Sequence, residues 1–160
     1  MSEEWLIDGY NLLHFISAQK NPGDCFPSTK TSLCAALAGM AATRKHKIWI
    51  VLDGIGNPDE LKTFETAYFQ AVYSQKVSAD HHIEKYIYQN KAATVFVVVT
   101  DDRTITGLAR GGGARVLKNS QFLEMLRQEG KEKDAALLNE KVRSHGFNRP
   151  FDEKFKSKGF

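Results

Sequence analysis

Residues 94–102 read TVFVVVTDD. Every side chain from Thr94 to Thr100 is β-branched or aromatic, which favours a strand. The run does not alternate apolar with polar, so both faces are expected to be covered, as in the central strand of a parallel sheet. Two acids, Asp101 and Asp102, close it at once.

The neighbouring segments fit such a sheet. Downstream, a short helix runs to Arg110, Gly111 to Gly113 end it as a helix stop and turn, and Ala114 to Leu117 forms another strand. Ser120 opens a helix with Phe122, Leu123 and Leu126 on one side. Upstream, Trp5-Leu6-Ile7 is a short buried strand ending in Asp8, and a helix opens near Asn11. Residues 21–27 are loop, and Leu33, Leu37 and Met40 mark a helix over 31–44. Lys47 to Leu52 is a strand ending in Asp53-Gly54. The stretch 61–75 is ambiguous, with alternation at Phe69, Ala71 and Tyr73 favouring a strand. Ser78 is a fitting N-cap for a helix to about Gln89. Strands alternate with helices, which predicts an α/β sandwich around a mostly parallel sheet with right-handed crossovers.

The chain has 160 residues, 42% hydrophobic and 26% charged, which suits one globular domain and argues against disorder. A net charge of +3 does not by itself mark a nucleic-acid binder. Cys25 and Cys34 are too few for a disulfide framework and lack zinc-site spacing. The N-terminus does not read as a signal peptide, and no apolar run approaches the roughly 20 residues needed to span a bilayer. A cytoplasmic protein is expected.

Asp8, Asp53 and Asp101-Asp102 stand at strand ends, and Asp80 lies in the first turn of a helix. In a parallel sheet these points share the C-terminal edge, where ligands bind. Carboxylates gathered there repel one another, and a hard divalent cation relieves that repulsion. Mg²⁺ or Mn²⁺ suits an all-oxygen set better than zinc does. Glu84, four residues after Asp80 on the same helix face, extends the cluster or holds a water. Each acid also has an ordinary reading: Asp80 and Asp102 as helix caps, Asp53-Gly54 as a turn.

The stretches LIDGYNLL, WIVLDG, SADHHIEKYI and VVVTDDRTI, in this order, resemble the YacP-like branch of the NYN domains, within the PIN-like ribonuclease superfamily. The similarity runs from about Trp5 to Leu126. It implies a Rossmann-like three-layer α/β/α sandwich and a metal-dependent RNA nuclease. By position, Asp8 matches the first family acid with Asn11 as its polar companion, Asp80 the acid of the helix, and Asp102 the acid after the central strand. Asp53 matches the acid after the second strand. Asp101 departs from the small polar residue usual before Asp102. The resemblance thus implies Asp8, Asn11, Asp80 and Asp102 as catalytic, with Asp8, Asp53, Asp80, Asp101 and Asp102 facing metal.

The chemistry expected is endonucleolytic hydrolysis of RNA phosphodiesters, with mRNA at the ribosome as one setting. Arg103, Arg110, Arg115 and Lys118 surround the acidic edge in sequence, and Thr100 adds a hydroxyl. A nuclease domain over 1–129 is followed by a basic extension, 130–160. There Arg149, Lys154 and Lys156 interleave with Phe147, Phe151 and Phe155, a composition that suits RNA; equally, the phenylalanines dock on the domain while the lysines stay in water. The competing functional class is a non-catalytic RNA- or ribosome-binding module with a vestigial acidic site. A receiver or phosphatase is remoter, since no Lys is placed to partner a nucleophilic Asp.

Overall fold

The structure is a computed structural model, and it describes residues 2–19, 27–90 and 94–130. Most of the expected 21–27 loop and the whole basic extension beyond Gly130 lie outside the described residues. Five strands form one all-parallel sheet: β1 (Ser2–Asp8), β2 (Lys47–Leu52), β3 (Phe69–Tyr73), β4 (Thr94–Val99) and β5 (Arg115–Leu117), in the order β3-β2-β1-β4-β5. The helices between them are α1 (Gly9–Ala18), α2 (Lys30–Arg44), α3 (Ala79–Asn90) and α4 (Arg103–Gly111). Residues 119–130 are helical. By compactness the chain divides into Met1–Glu124, which holds the whole sheet, and Met125–Phe160.

The expected α/β architecture is present, with one correction. The central strand is β1, paired to β2 on one side and β4 on the other. The apolar β4 is interior but second from the edge, since it also pairs with β5. An interior strand looks the same in sequence wherever it stands, because burial on both faces is what shapes it. The ambiguous 61–75 stretch resolves into a 3-10 turn, Pro58–Phe64, followed by β3.

Side chains alternate across the sheet. Leu6, Val51, Phe96 and Val98 point to one face and pack with Ala79, Ile83 and Ile87 of α3 and Ile105 and Ala109 of α4. The intervening positions Ile7, Ile50, Leu52 and Val97 are fully buried on the other face, where α1 and α2 lie against the sheet. Thr29 starts α2 with a reciprocal capping box to Ser32, which satisfies two of the helix's otherwise unpaired N–H groups. Gly9 makes the turn from β1 into α1 possible: a Cβ there would stand 2.6 Å from Leu52 Cδ2 and 3.1 Å from the Val51 carbonyl oxygen. Helix α4 stops as expected, with Gly112 as its C-cap and Gly113 at φ +88°.

Between β1 and β4 the strand order reverses direction. The chain leaves β1 toward β2 and β3, then returns to the other side for β4 and β5. A crevice at the C-terminal ends of these two strands follows from that topology.

Candidate active site

Asp8, the last residue of β1, and Thr100, just past the end of β4, continue the alternation of Leu6 and Val98, so both turn toward the α3–α4 face. There the Thr100 hydroxyl donates to Asp8 Oδ2 at 2.9 Å. Both residues are buried, at 7% and 1% exposure. Asp8 occupies the N-cap position of α1 yet makes no capping bond with its side chain. Its carboxylate faces the crevice instead. Burial pushes its pKa up to about 6; the Thr100 hydroxyl opposes the rise, and the charges of Asp102, Asp53 and Asp80 add to it. The charges of these three acids therefore reach Asp8.

Each of the other acids commits an oxygen to the fold. Asp102 caps α4, accepting from the N–H groups of Thr104 (2.8 Å) and Ile105 (3.2 Å). Asp53 accepts from the Ala79 N–H at 2.9 Å, so the end of β2 caps the start of α3. Asp80 accepts from the Ser78 hydroxyl and from the His81 N–H. The Ser78 bond is the chief cause holding its carboxyl below the usual range. Asp102 is thus a helix cap, and Asp80, inside the first turn of α3, is a local acceptor and not a cap; these are local roles. They do not exclude a second role, because a carboxylate accepts on two oxygens.

Asn11 lies within α1 and does not cap it. Its Oδ1 accepts from the Asp101 N–H at 3.0 Å and from Asn119 Nδ2 at 2.8 Å. Asn119 is the residue that sequence reasoning missed. It is 1% exposed, and its own N–H donates to Asp101 Oδ1 at 3.0 Å. The Asp101 N–H requires an acceptor from Asn11. Asn11 in turn requires a donor from Asn119, so the Asn119 amide can face only one way. That leaves Asn119 Oδ1 buried with no hydrogen-bond partner among the described residues. The only hint in sequence was a polar residue just beyond β5, on the same sheet edge as the acids.

The remaining expected residues separate. Asp101 is tied to Asn119 and lines an open groove with Thr100, Arg103, Arg110 and Lys118. Arg115 opens β5 at the opposite end of the sheet and pairs with Glu3 at 3.6 Å, so the structure does not bring it to the acidic edge. Glu84 lies one turn further along α3 and is not among the charges that raise Asp8. Arg149, Lys154 and Lys156 lie outside the described residues. On the β3 side, Tyr73 bonds both Lys30 Nζ (2.7 Å) and Glu60 Oε1 (2.6 Å), tying the 3-10 turn to α2.

The donor set of the edge consists of oxygen atoms only, the kind a hard cation takes. Among the described residues, no three His, Cys, Asp or Glu side chains stand close enough together to form a metal cage. Nor is any helix among them long and apolar enough to cross a membrane.

The model of the YacP-like NYN domain family matches residues 5–158. Among solved structures, the chain is similar to Rae1 (YacP) from Bacillus subtilis. A tryptophan-to-leucine mutant of that protein superposes with a TM-score of 0.63 at 21% identity, covering 92% of this chain and 86% of that one. A second structure of Rae1 gives 0.61 at 19%, covering 88% and 84%. These likenesses establish the shared fold. No curated protein sequence matches the chain.

Proposed function

The chain belongs to the YacP-like NYN domain family, nuclease-like domains related to RNA, and on that premise we propose that it is a divalent-metal-dependent endoribonuclease of the cytoplasm. Asp8 carries the reading. A carboxylate buried at a strand end, raised to about 6 and left out of helix capping, costs stability while it is charged. A group that weakens the fold in this way marks a site that uses its charge.

Asp8, Asp80 and Asp102, together with Asp53 and Asp101, are the residues that would hold Mg²⁺ or Mn²⁺. Magnesium is often held by one or two carboxylates and several waters, which suits acids whose charges reach Asp8 without forming a cage. When bound, the ion supplies a water of lowered pKa and charge stabilisation at the phosphate. Thr100 fixes the orientation of Asp8 through its hydroxyl. Asn11, held by Asp101 and Asn119, presents a fixed amide beside it. Arg103, Arg110 and Lys118 neutralise the phosphates of the bound strand. Arg149, Lys154 and Lys156 of the extension add to that grip, and mRNA on the ribosome is the proposed setting.

The lack of a three-acid cage among the described residues favours a second reading, a binding module with a vestigial edge. Cleavage of a mixed RNA pool separates the two. With Mn²⁺ or Mg²⁺ the wild type should cut, chelator should stop it, and Asp80→Asn should lose about 100-fold or more while RNA affinity changes little. Cleavage that persists in the variant or in chelator refutes the assignment. A wild type that binds RNA, even on translating ribosomes, but never cuts it establishes the binding module.

A further inference from the structure

One side of the acidic edge opens into a groove of about 690 Å³ between α4 and β5. It starts at Thr100 and Asp101, and its walls include Arg103, Thr106, Gly107, Arg110, Lys118 and Gln121. Arg103, Gly107 and Arg110 are four and three residues apart on α4, so they share one helix face. Lys118 comes from just past the end of β5. All three cations are exposed, and none of them takes part in the ion pairs found among the described residues, such as Lys30 with Glu60 and Arg115 with Glu3. Like charges aimed into one space repel, so this arrangement does not serve the fold.

Gly107 points the same way. A glycine inside a helix is less favourable than any residue but proline, so its presence asks for a cause. Here a Cβ would meet nothing within 4 Å, and the backbone is not in the left-handed region. Neither packing nor conformation requires the glycine. What it does is leave the wall between Arg103 and Arg110 bare.

Among the described residues no aromatic ring lines the groove, so bases have nothing to stack on. Apart from the Asp101 carboxylate, where the groove meets the acidic edge, and Val116, the side chains that line it are suited to phosphates and sugars: guanidinium and ammonium groups, the Thr106 hydroxyl, and the Gln121 amide, whose Oε1 is already taken by the Lys118 N–H.

We propose that this groove is the track of a single RNA strand beside the acidic edge, that it reads phosphates and not bases, and that Gly107 keeps it open. The identity of the occupant rests on the RNA reading of the edge; the groove itself rests on its own residues.

The test is Gly107→Glu. The new carboxylate lies four residues after Arg103 and three before Arg110, so it pairs with both and fills the bare wall. Glutamate is also a better helix former than glycine, so the variant should melt no lower than wild type. Ala35→Glu, on the exposed face of α2, is the control for charge alone. Binding of labelled oligouridylate and oligoadenylate is measured over a salt series in the metal-free protein. Gly107→Glu should bind about 10-fold or more weakly, with the salt slope reduced by about 0.7 for each phosphate that is no longer neutralised. Ala35→Glu should bind as wild type, and the two homopolymers should bind alike. Wild-type affinity and slope in Gly107→Glu would overturn the track, and so would a wild type that binds neither homopolymer. A strong preference between the homopolymers would overturn phosphate-only reading. If the wild type never cuts RNA but Gly107→Glu loses binding, the groove stands and the nuclease reading falls. If both cut and bind alike, the groove falls and the nuclease reading stands.

Discussion

Replacing Asp8 by Asn keeps the shape of the side chain and removes its charge. In the folded protein burial pushes the Asp8 pKa from 3.8 to about 6, which corresponds to about 3 kcal/mol. The sign follows from which state binds the proton. Between 3.8 and about 6 the folded chain holds the proton and the unfolded chain has released it, so stability falls as pH rises through that window. Below 3.8 both states are protonated and the penalty vanishes; above about 6 it is complete. The asparagine mimics the protonated form and still accepts the Thr100 hydroxyl. Its advantage over wild type should therefore grow from near zero at about pH 3.5 to about 3 kcal/mol above about pH 7, with relaxation around the ionised carboxylate setting the shortfall. Urea unfolding of both proteins in chelator, from about pH 3.5 to about pH 8, measures the difference; the other carboxylates cancel to first order. Parallel stability curves, or an asparagine variant weaker than wild type at the alkaline end, would refute the account of Asp8 as a charge kept against the fold.

Gly9→Ala should cost about 1–3 kcal/mol by overpacking, because the new methyl meets Leu52, Ile50 and the Val51 carbonyl within about 3 Å; an unchanged urea midpoint would mean α1 does not press on β2 there. Asn119→Ala should keep the fold but cut RNA cleavage about 10–100-fold, as loss of a residue that orients ligands does. Cleavage unaffected by Asn119→Ala would show that the amide is not positioning Asn11.

The fold was legible where one segment's own pattern decided it. β4 is apolar throughout, α2 repeats at helical spacing, and the acids at the ends of β1, β2 and β4 share an edge because parallel strands place their C-termini together. The rank of β4 within the sheet was not legible, since pairing on both sides leaves the same composition at any interior place. Arg115 and Lys118 are three residues apart and look alike in sequence, but Arg115 opens the three-residue β5 and Lys118 follows it, so they serve opposite ends of the sheet. The use of Asp53 to cap α3 joins residues 26 apart, and Asn119 meets Asn11 across 108. Local periodicity carries no trace of such pairs. Charge at strand ends draws the eye to acids; the neutral amide that holds Asn11 carries no such signal.

The reversal of strand order between β1 and β4 also sets when the edge comes into being during synthesis. Asp8 is made 92 residues before its hydroxyl partner, and the amide that holds Asn11 lies later still. Contacts so distant along the chain form late in folding, because the loop between them must close first. A nascent chain that has not yet released residue 119 has Asp8 and no Thr100–Asn11–Asn119 frame around it. If the edge cuts RNA, the enzyme is harmless to the message that encodes it until nearly all of its sheet has emerged.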